Sequence, residues 1–416
     1  MSCTATARSA EAAETAWQAE YHDALMPVFG TPQRLLVRGQ GSHVWDADGN
    51  RYLDLLSGIA VNALGHAHPA IVEAVTEQIS TLGHISNFFA SRPQIEAASE
   101  VLALAKAPEG STVFFSNSGA EANEAALKIT RRTGRSKIVC VEGSFHGRTM
   151  GALALTSKAA YRAPFEPGVP GVVHVPFGDE AALRAAVDSD TAAVFFEPVQ
   201  GESGVRRHPQ GYLTAAREAT SAVGALLVLD EVQTGVGRTG AWFAFQHPEI
   251  GEGVSPDVIT LAKGLGGGMP IGATVAFGAD VTKLLQAGQH GSTFSGNPLA
   301  TAAALAVLRT LGQEGLVDRA AQLGASARDA LTGLDEVSEV TGAGLLLGLE
   351  LSDGQAKAVA AAALEAGYIV NPVTETRLRL APPLIVTEDE LLGFVRALPG
   401  IVADAAAQTA SAEGAS

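Results

Sequence analysis

Sulfur and aromatic rings are scarce in this sequence: its 416 residues include two cysteines, Cys3 and Cys140, and only 6% aromatics. Two cysteines, one at the extreme start, cannot build a disulfide framework or a cysteine metal site. That usage is compatible with a reducing cytosol, and a cytoplasmic location is the expectation. Basic residues are also short, 28 Lys and Arg against 44 Asp and Glu, for a net charge of −16. Such a surface repels phosphate backbones and anionic lipid, so binding to nucleic acid through bulk charge is excluded. No run of 18 or more apolar residues occurs, so no membrane span is expected. The phosphate loop Gly-x-x-x-x-Gly-Lys-Ser/Thr, the His-Glu-x-x-His helix and the Gly-x-Ser-x-Gly elbow are all missing. His66-Ala-His68 is followed by Pro69 without an evident third ligand and reads as structural, so no metal is expected.

What the chain does have is 47% hydrophobic residues, 17% charged residues and 46 glycines. That excludes a disordered protein and suggests a close-packed α/β enzyme. Between about residues 66 and 304, short apolar strand candidates alternate with helical patches. They are Thr112–Phe115, Lys137–Glu142, Val172–Val175, Ala192–Glu197, Ala225–Asp230 and Val258–Ala262, with helices such as Ala120–Arg132 and Glu180–Val187 between them. This rhythm predicts a mostly parallel sheet covered by helices on both faces. Upstream, Asp46-Ala-Asp48-Gly49-Asn50 predicts a hairpin turn. After about Leu305 come a long helical stretch, a strand over Gly344–Leu351, a helix over Gly354–Ala366, and strands over Tyr368–Val370 and Arg377–Leu380. The expected division is a large domain over 66–305 and a smaller α+β domain formed by 16–65 together with 306–405. The ends, 1–15 and 406–416, read as frayed, disordered tails.

Three places could carry chemistry. An acid and a lysine each end an apolar strand: Asp230 follows Ala225–Leu229, and Lys263 follows Val258–Ala262. Ligands in open α/β sheets sit beyond the carboxyl ends of strands, and burial favours the neutral amine that a nucleophile needs. The plain alternative is an exposed strand-end lysine and a helix-capping aspartate. Ser116-Asn-Ser-Gly119-Ala120-Glu121 joins a strand to a helix; its free N–H groups could hold an anion, or Ser118 and Glu121 could form an ordinary capping box. Phe145-His-Gly-Arg148, after another strand, offers a ring and a guanidinium able to fork a carboxylate, or simply a core phenylalanine and a surface arginine.

In this order the pieces resemble the class III aminotransferases, pyridoxal-phosphate enzymes of fold type I. The resemblance runs from about residue 17 to 397 and rests on nine segments. They are Val44–Asp54, Leu64–Pro69, Ser116–Glu124, Phe145–Thr149, Glu197–Glu202, Leu229–Gly235, Ala262–Gly264, Ser292–Pro298 and Arg379–Leu384. It implies that Lys263 and Asp230 are catalytic, Lys263 joining the cofactor aldehyde and Asp230 facing the ring nitrogen. It further implies that Val232 and Phe145 cover the two ring faces and that Gln233 reaches the ring hydroxyl. The phosphate would be held by Gly119, Ala120 and, from a partner subunit, Thr293, which makes the expected assembly a homodimer. The implied substrates are N-acetylornithine, whose δ-amine is moved, and 2-oxoglutarate. Arg148 and Ser292 would grip the carboxylate of the first, and Arg379, masked by Glu202, that of the second. Arg377 shares the parity of Arg379, which is preferred for its place before Leu-Ala-Pro-Pro. The alternative is a broader ω-aminotransferase taking ornithine, succinylornithine, succinyl-diaminopimelate or 4-aminobutyrate. Relatives acting on ornithine typically carry tyrosine where Ile59 stands; isoleucine cannot hydrogen-bond a free α-amine, which favours an acylated one.

Overall fold

The computed structural model describes residues 15–353 and 355–414, so Cys3 and nearly all of the 1–15 tail lie outside the described residues. Seven strands form the central sheet, in the order Thr112–Ser116, Gly272–Ala276, Val258–Leu261, Leu226–Asp230, Thr191–Phe196, Lys137–Val141, Val172–Val175. The six strands expected from the sequence are all present, each within a residue at either end. Four of the six neighbouring pairs are parallel. The strand Gly272–Ala276 runs antiparallel to both neighbours and has no counterpart in the sequence reading. Its Gly-Ala-Thr-Val-Ala composition has weak β-propensity. All five of its residues are buried, so packing between two strands decides its conformation.

The parallel strands are apolar end to end because helices cover both faces; all six residues of Thr191–Phe196 are buried. Cys140 lies in this core, where burial pushes its thiol up and leaves it inert. Parallel strands aim their carboxyl ends the same way. Asp230 closes one strand, Lys263 follows the next, and Asp230 is in register with Thr260 across them.

The two ends of the chain meet beside this edge. Leu36–Gln40, His43–Asp46 and Arg51–Asp54 form a small sheet whose fourth strand is Tyr368–Ile369. The expected hairpin turn is there: Asp46 Oδ1 accepts from the Asp48 and Asn50 N–H groups, and Gly49 has φ of 88°. His66 bonds Asp54 at 2.8 Å and His68 caps the next helix, which is the structural role expected of the pair. The long helical stretch resolves into Pro298–Gln313 and Leu316–Thr332.

Two expectations are corrected here. The strand expected over Gly344–Leu351 is the second arm (Leu346–Leu351) of a hairpin whose first arm, Val337–Ala343, the sequence reading merged into the preceding helices. Residues 406–414, expected as a frayed tail, continue the helix Glu388–Gly414. Alanine is the strongest helix former, and Ala405 is buried against the core at the start of that extension. Among the described residues no helix is long and apolar enough to cross a membrane.

Candidate active site

A cavity of about 480 Å³ opens at the carboxyl edge of the central sheet, within the range typical of small-molecule sites. Its wall includes Gly119, Ala120, Phe145, Arg148, Glu202, Asp230, Val232, Gln233 and Lys263. Nine residues expected from separate sequence segments therefore converge on one space.

Lys263 sits in a 3₁₀ turn directly after its strand, with φ of 43°. A side chain in this left-handed region costs about 1–3 kcal/mol, strain that the surrounding packing must hold. Among the described residues no hydrogen bond or ion pair reaches its Nζ. Burial lowers its pKa and the charge of Arg379 adds to that, while Glu202, Glu197 and Asp230 oppose. The net direction favours a neutral amine facing the cavity, so the reading of Lys263 as an ordinary exposed lysine fails.

Asp230 is 3% exposed and held on both oxygens. Oδ1 accepts from the Val232 N–H at 2.9 Å. Oδ2 accepts from Asn123 Nδ2 and His146 Nδ1, each at 2.8 Å. Asn123 is itself aimed by Thr260, whose hydroxyl donates to Asn123 Oδ1 at 2.7 Å. Three hydrogen bonds fix the position of this side chain at the cavity. His146 and Asn123, as Asp230's supports, escaped the sequence reading. Asn123 lies one turn inside a helix, where nothing local marks it.

The turn before the helix Gly119–Arg131 combines both readings offered for it. Ser118 Oγ accepts from the Glu121 N–H at 3.1 Å, an ordinary cap. Glu121 does not close the box, because its carboxylate takes the Asn117 N–H instead. The Gly119 and Ala120 N–H groups occupy the first two helical positions, which have no intrahelical acceptor, and both residues line the cavity. Glycine is needed at 119 for packing: a Cβ there would lie 2.8 Å from Val232 Cγ1.

Glu202, Gln233 and Arg379 form a second group. Arg379 is 1% exposed; its Nη1 donates to Glu202 Oε1 at 2.7 Å and Gln233 Oε1 at 3.0 Å, and its Nη2 to Asn371 Oδ1 at 2.7 Å. Burial works to raise the Glu202 carboxyl, but the charge and hydrogen bond of Arg379 outweigh it and hold the group ionised. Arg379 does not touch the cavity directly; Glu202 and Gln233 stand in front of it. Arg377, its neighbour in parity, is engaged elsewhere, with Glu350 at 2.6 Å and Glu339 at 2.5 Å.

Besides Arg379, three expected residues lie outside the wall. Thr293 and Ser292 are exposed; Ser292 Oγ accepts from Asn117 Nδ2 at 3.0 Å, one layer behind the cavity. Ile59 is 39% exposed and not in the wall, whereas Val61 is. Ile59 belongs to four consecutive residues, Ser57 to Ala60, with φ of 47, 65, 69 and 59°. Asp54 holds that turn by accepting from the Leu56 and Ser57 N–H groups, and Ser57 Oγ donates to Ala381 O.

Glu197 also lines the cavity, and its position was legible, because it ends its strand as Asp230 and Lys263 end theirs. It accepts from the Phe145 N–H at 2.9 Å and the Gly201 N–H at 3.3 Å. Burial, then the charge of Asp230, push its pKa up to about 8. A carboxyl raised above its unfolded value carries its full relative stability below that unfolded value and loses it as pH rises through the folded one. Glu197→Gln in the apoprotein should therefore gain on the parent in thermal stability as pH rises from about 5 to 8. Parallel Tm curves across that window would refute the assignment.

The arrangement fits pyridoxal phosphate: an unpartnered amine, a thrice-bonded carboxylate, two side chains for ring faces and a helix start for the phosphate, all on one cavity. The comparisons agree. The family model described as Aminotransferase class-III matches residues 28–402. An acetylornithine aminotransferase of Mycobacterium leprae is 56% identical over 388 residues, covering 92% of this chain and 95% of that protein. An N-acetylornithine aminotransferase from Stenotrophomonas maltophilia has a solved structure with a TM-score of 0.79 at 36% identity, covering 92% of this chain and 99% of that one. An ornithine aminotransferase from Toxoplasma gondii, solved with PLP at partial occupancy in its active site, gives 0.86 at 33% identity, covering 94% of this chain and 95% of that one. With its sheet edge, its amine and acid, and a match over nearly its whole length, the chain belongs to the class III aminotransferases.

Proposed function

We propose that this pyridoxal-phosphate-dependent transferase is an acetylornithine 5-aminotransferase. It moves the δ-amine of N-acetylornithine to 2-oxoglutarate, giving N-acetylglutamate 5-semialdehyde and glutamate, a step of arginine biosynthesis carried out in the cytoplasm. The observation that carries this reading is the masked arginine: Arg379 is paired with Glu202 at 2.7 Å behind the cavity wall, while Arg148 in the wall is free of any ion pair among the described residues.

The chemistry supplied by bound pyridoxal phosphate is a covalent link to an amine and an electron-withdrawing ring. The protein's part begins with holding it. Gly119 and Ala120 would offer N–H groups to the phosphate, and Thr293 of the partner subunit would add its hydroxyl. Val232 and Phe145 would enclose the ring, Gln233 would face its hydroxyl, and the Asp230 carboxylate would balance the charge of its nitrogen. Lys263, whose burial favours the unprotonated amine, would be the side chain that anchors the cofactor and that takes a proton from the substrate's δ-carbon. Arg148 fixes the donor's α-carboxylate so that the δ-carbon, and not the α-carbon, lies next to Lys263.

The two substrates then need opposite states of one pair. With Arg379 closed on Glu202, the donor finds one carboxylate grip. With the pair open, 2-oxoglutarate finds two, matching its two carboxylates. Glu202→Gln should weaken this choice. The Glu202 side chain is about a third exposed, so solvent screening limits the effect to roughly tenfold. KM for acetylornithine should rise and KM for glutamate should fall; unchanged ratios would remove Glu202 from the gate.

A homodimer is part of the proposal. Phe88, Phe89, Phe294 and Met26 are 91, 70, 58 and 81% exposed, more large apolar surface than a soluble monomer usually leaves bare. Phe294 adjoins Thr293, so the surface that would bury these side chains also carries the residue assigned to the neighbouring site. The deciding experiment is turnover on acetylornithine, ornithine, succinylornithine, succinyl-diaminopimelate and 4-aminobutyrate with 2-oxoglutarate, counting glutamate formed, alongside the mass in solution. A clear preference for acetylornithine is expected; equal use of ornithine or 4-aminobutyrate would leave only the broader ω-aminotransferase.

A further inference from the structure

We propose that Tyr161 is a positioning residue for donor recognition. Its ring holds the Arg148 guanidinium so that the guanidinium's free edge meets the carboxylate of the amine donor. This rests on reading Arg148 as the carboxylate grip.

Arg148 is exposed and, among the described residues, makes no hydrogen bond or ion pair. An arginine in that state normally samples many rotamers and loses that freedom when it binds. Here its Cζ lies 3.6 Å from the centre of the Tyr161 ring and 5.6 Å from that of Phe145. Contact with a ring face occupies one side of the guanidinium plane. The N–H donors lie in the plane and point outward, so the fork that matches a carboxylate stays available.

Tyr161 is itself fixed. It comes from the short helix Ala159–Arg162 and meets the Phe145 ring edge-on, at 6.4 Å and 87°. Lys158 Nζ donates to its hydroxyl at 3.3 Å and lies 4.7 Å from its ring centre. The Phe145 N–H is tied to Glu197. The Arg148 guanidinium is thereby referenced, through Tyr161, to the side chain assigned to the cofactor ring face. Tyr161 is half-buried and absent from the cavity wall, so it acts through Arg148. Lys158 and Arg148 on one ring also set two positive charges beside the cavity in a chain of net charge −16, which favours entry of a carboxylate. The donors this device selects are primary amines bearing a carboxylate remote from the reacting nitrogen.

The test uses the holoenzyme and two ligands, N-acetylornithine and its decarboxylated analogue N-acetyl-1,4-diaminobutane, the second measured as donor or as competitive ligand. Tyr161→Leu should raise KM for acetylornithine about two- to thirty-fold, the range of a cation–π contact converted to affinity. It should leave binding of the decarboxylated analogue within about twofold of the parent. Tyr161→Phe keeps the ring and should recover most of the loss. Equal losses for both ligands, or a Tyr161→Phe variant as poor as Tyr161→Leu, would overturn the inference. Arg148→Met separates the two layers. If it fails to discriminate between the ligands, the reading of Arg148 is wrong; if it discriminates and Tyr161→Leu does not, only the role of Tyr161 falls.

Discussion

Lys263→Ala is expected to lower amine transfer by about 10⁴-fold or more, because the proposed mechanism makes one side chain both the covalent anchor and the proton carrier. Borohydride reduction of the parent holoenzyme should fix the cofactor to the peptide containing Lys263, and the variant should take up no label. A label on any other lysine would sink the assignment. The backbone supplies a control on folding. Lys263 has φ of 43°, where glycine is at ease and alanine is not. Lys263→Gly should be as inactive as Lys263→Ala yet more stable, by about 1 kcal/mol. Loss of activity with that order of stability separates missing chemistry from a damaged fold.

The second large effect is expected at Asp230. Asp230→Asn should cost about 10³-fold in the donor half-reaction, the scale of removing one preorganised electrostatic contact. The amide carries no charge to balance a protonated ring nitrogen. It also presents an NH₂ group to a pocket already filled by donors, namely Asn123 Nδ2, His146 Nδ1 and the Val232 N–H. Single-turnover measurement with acetylornithine isolates the step, and circular dichroism checks that the sheet is intact. A rate within tenfold of the parent would show that the carboxylate is not needed to hold ring charge. Asn123→Ala should give a smaller loss, since Asp230 keeps two of its three donors.

These two positions were readable because their signal is local. An apolar run ending in Asp230, and another ending at Lys263, each say that a polar group sits at the carboxyl end of a buried strand. Glu197 carries the same signal, but its role in tying Phe145 to Gly201 is not local and is visible only in the fold. The phosphate turn was also local, though the need for Gly119 was not. It arises from Val232, more than a hundred residues away in the chain, which occupies the space a Cβ would fill.

The strand Gly272–Ala276 and the helix over 406–414 mark the opposite limits of local reading. The first is a strand by tertiary demand, against its composition. The second is a helix by composition, because an alanine-rich segment continues a helix already packed on the core.

By itself the sequence determined the alternating strands and helices, the carboxyl-edge position of the acid and the lysine, and the family they point to, since hydrophobic period and turn chemistry act over a few residues. Only the tertiary structure separated the surroundings of Arg377 from those of Arg379. Parity puts both on one face of their strand and says nothing of distance along it. Pairing with Leu346–Leu351 sets Arg377 opposite Glu350 and brings Arg379 to Glu202 and Gln233. The same long-range packing brought Tyr161 under Arg148, because a cation meets a ring through the fold and not through spacing in the chain.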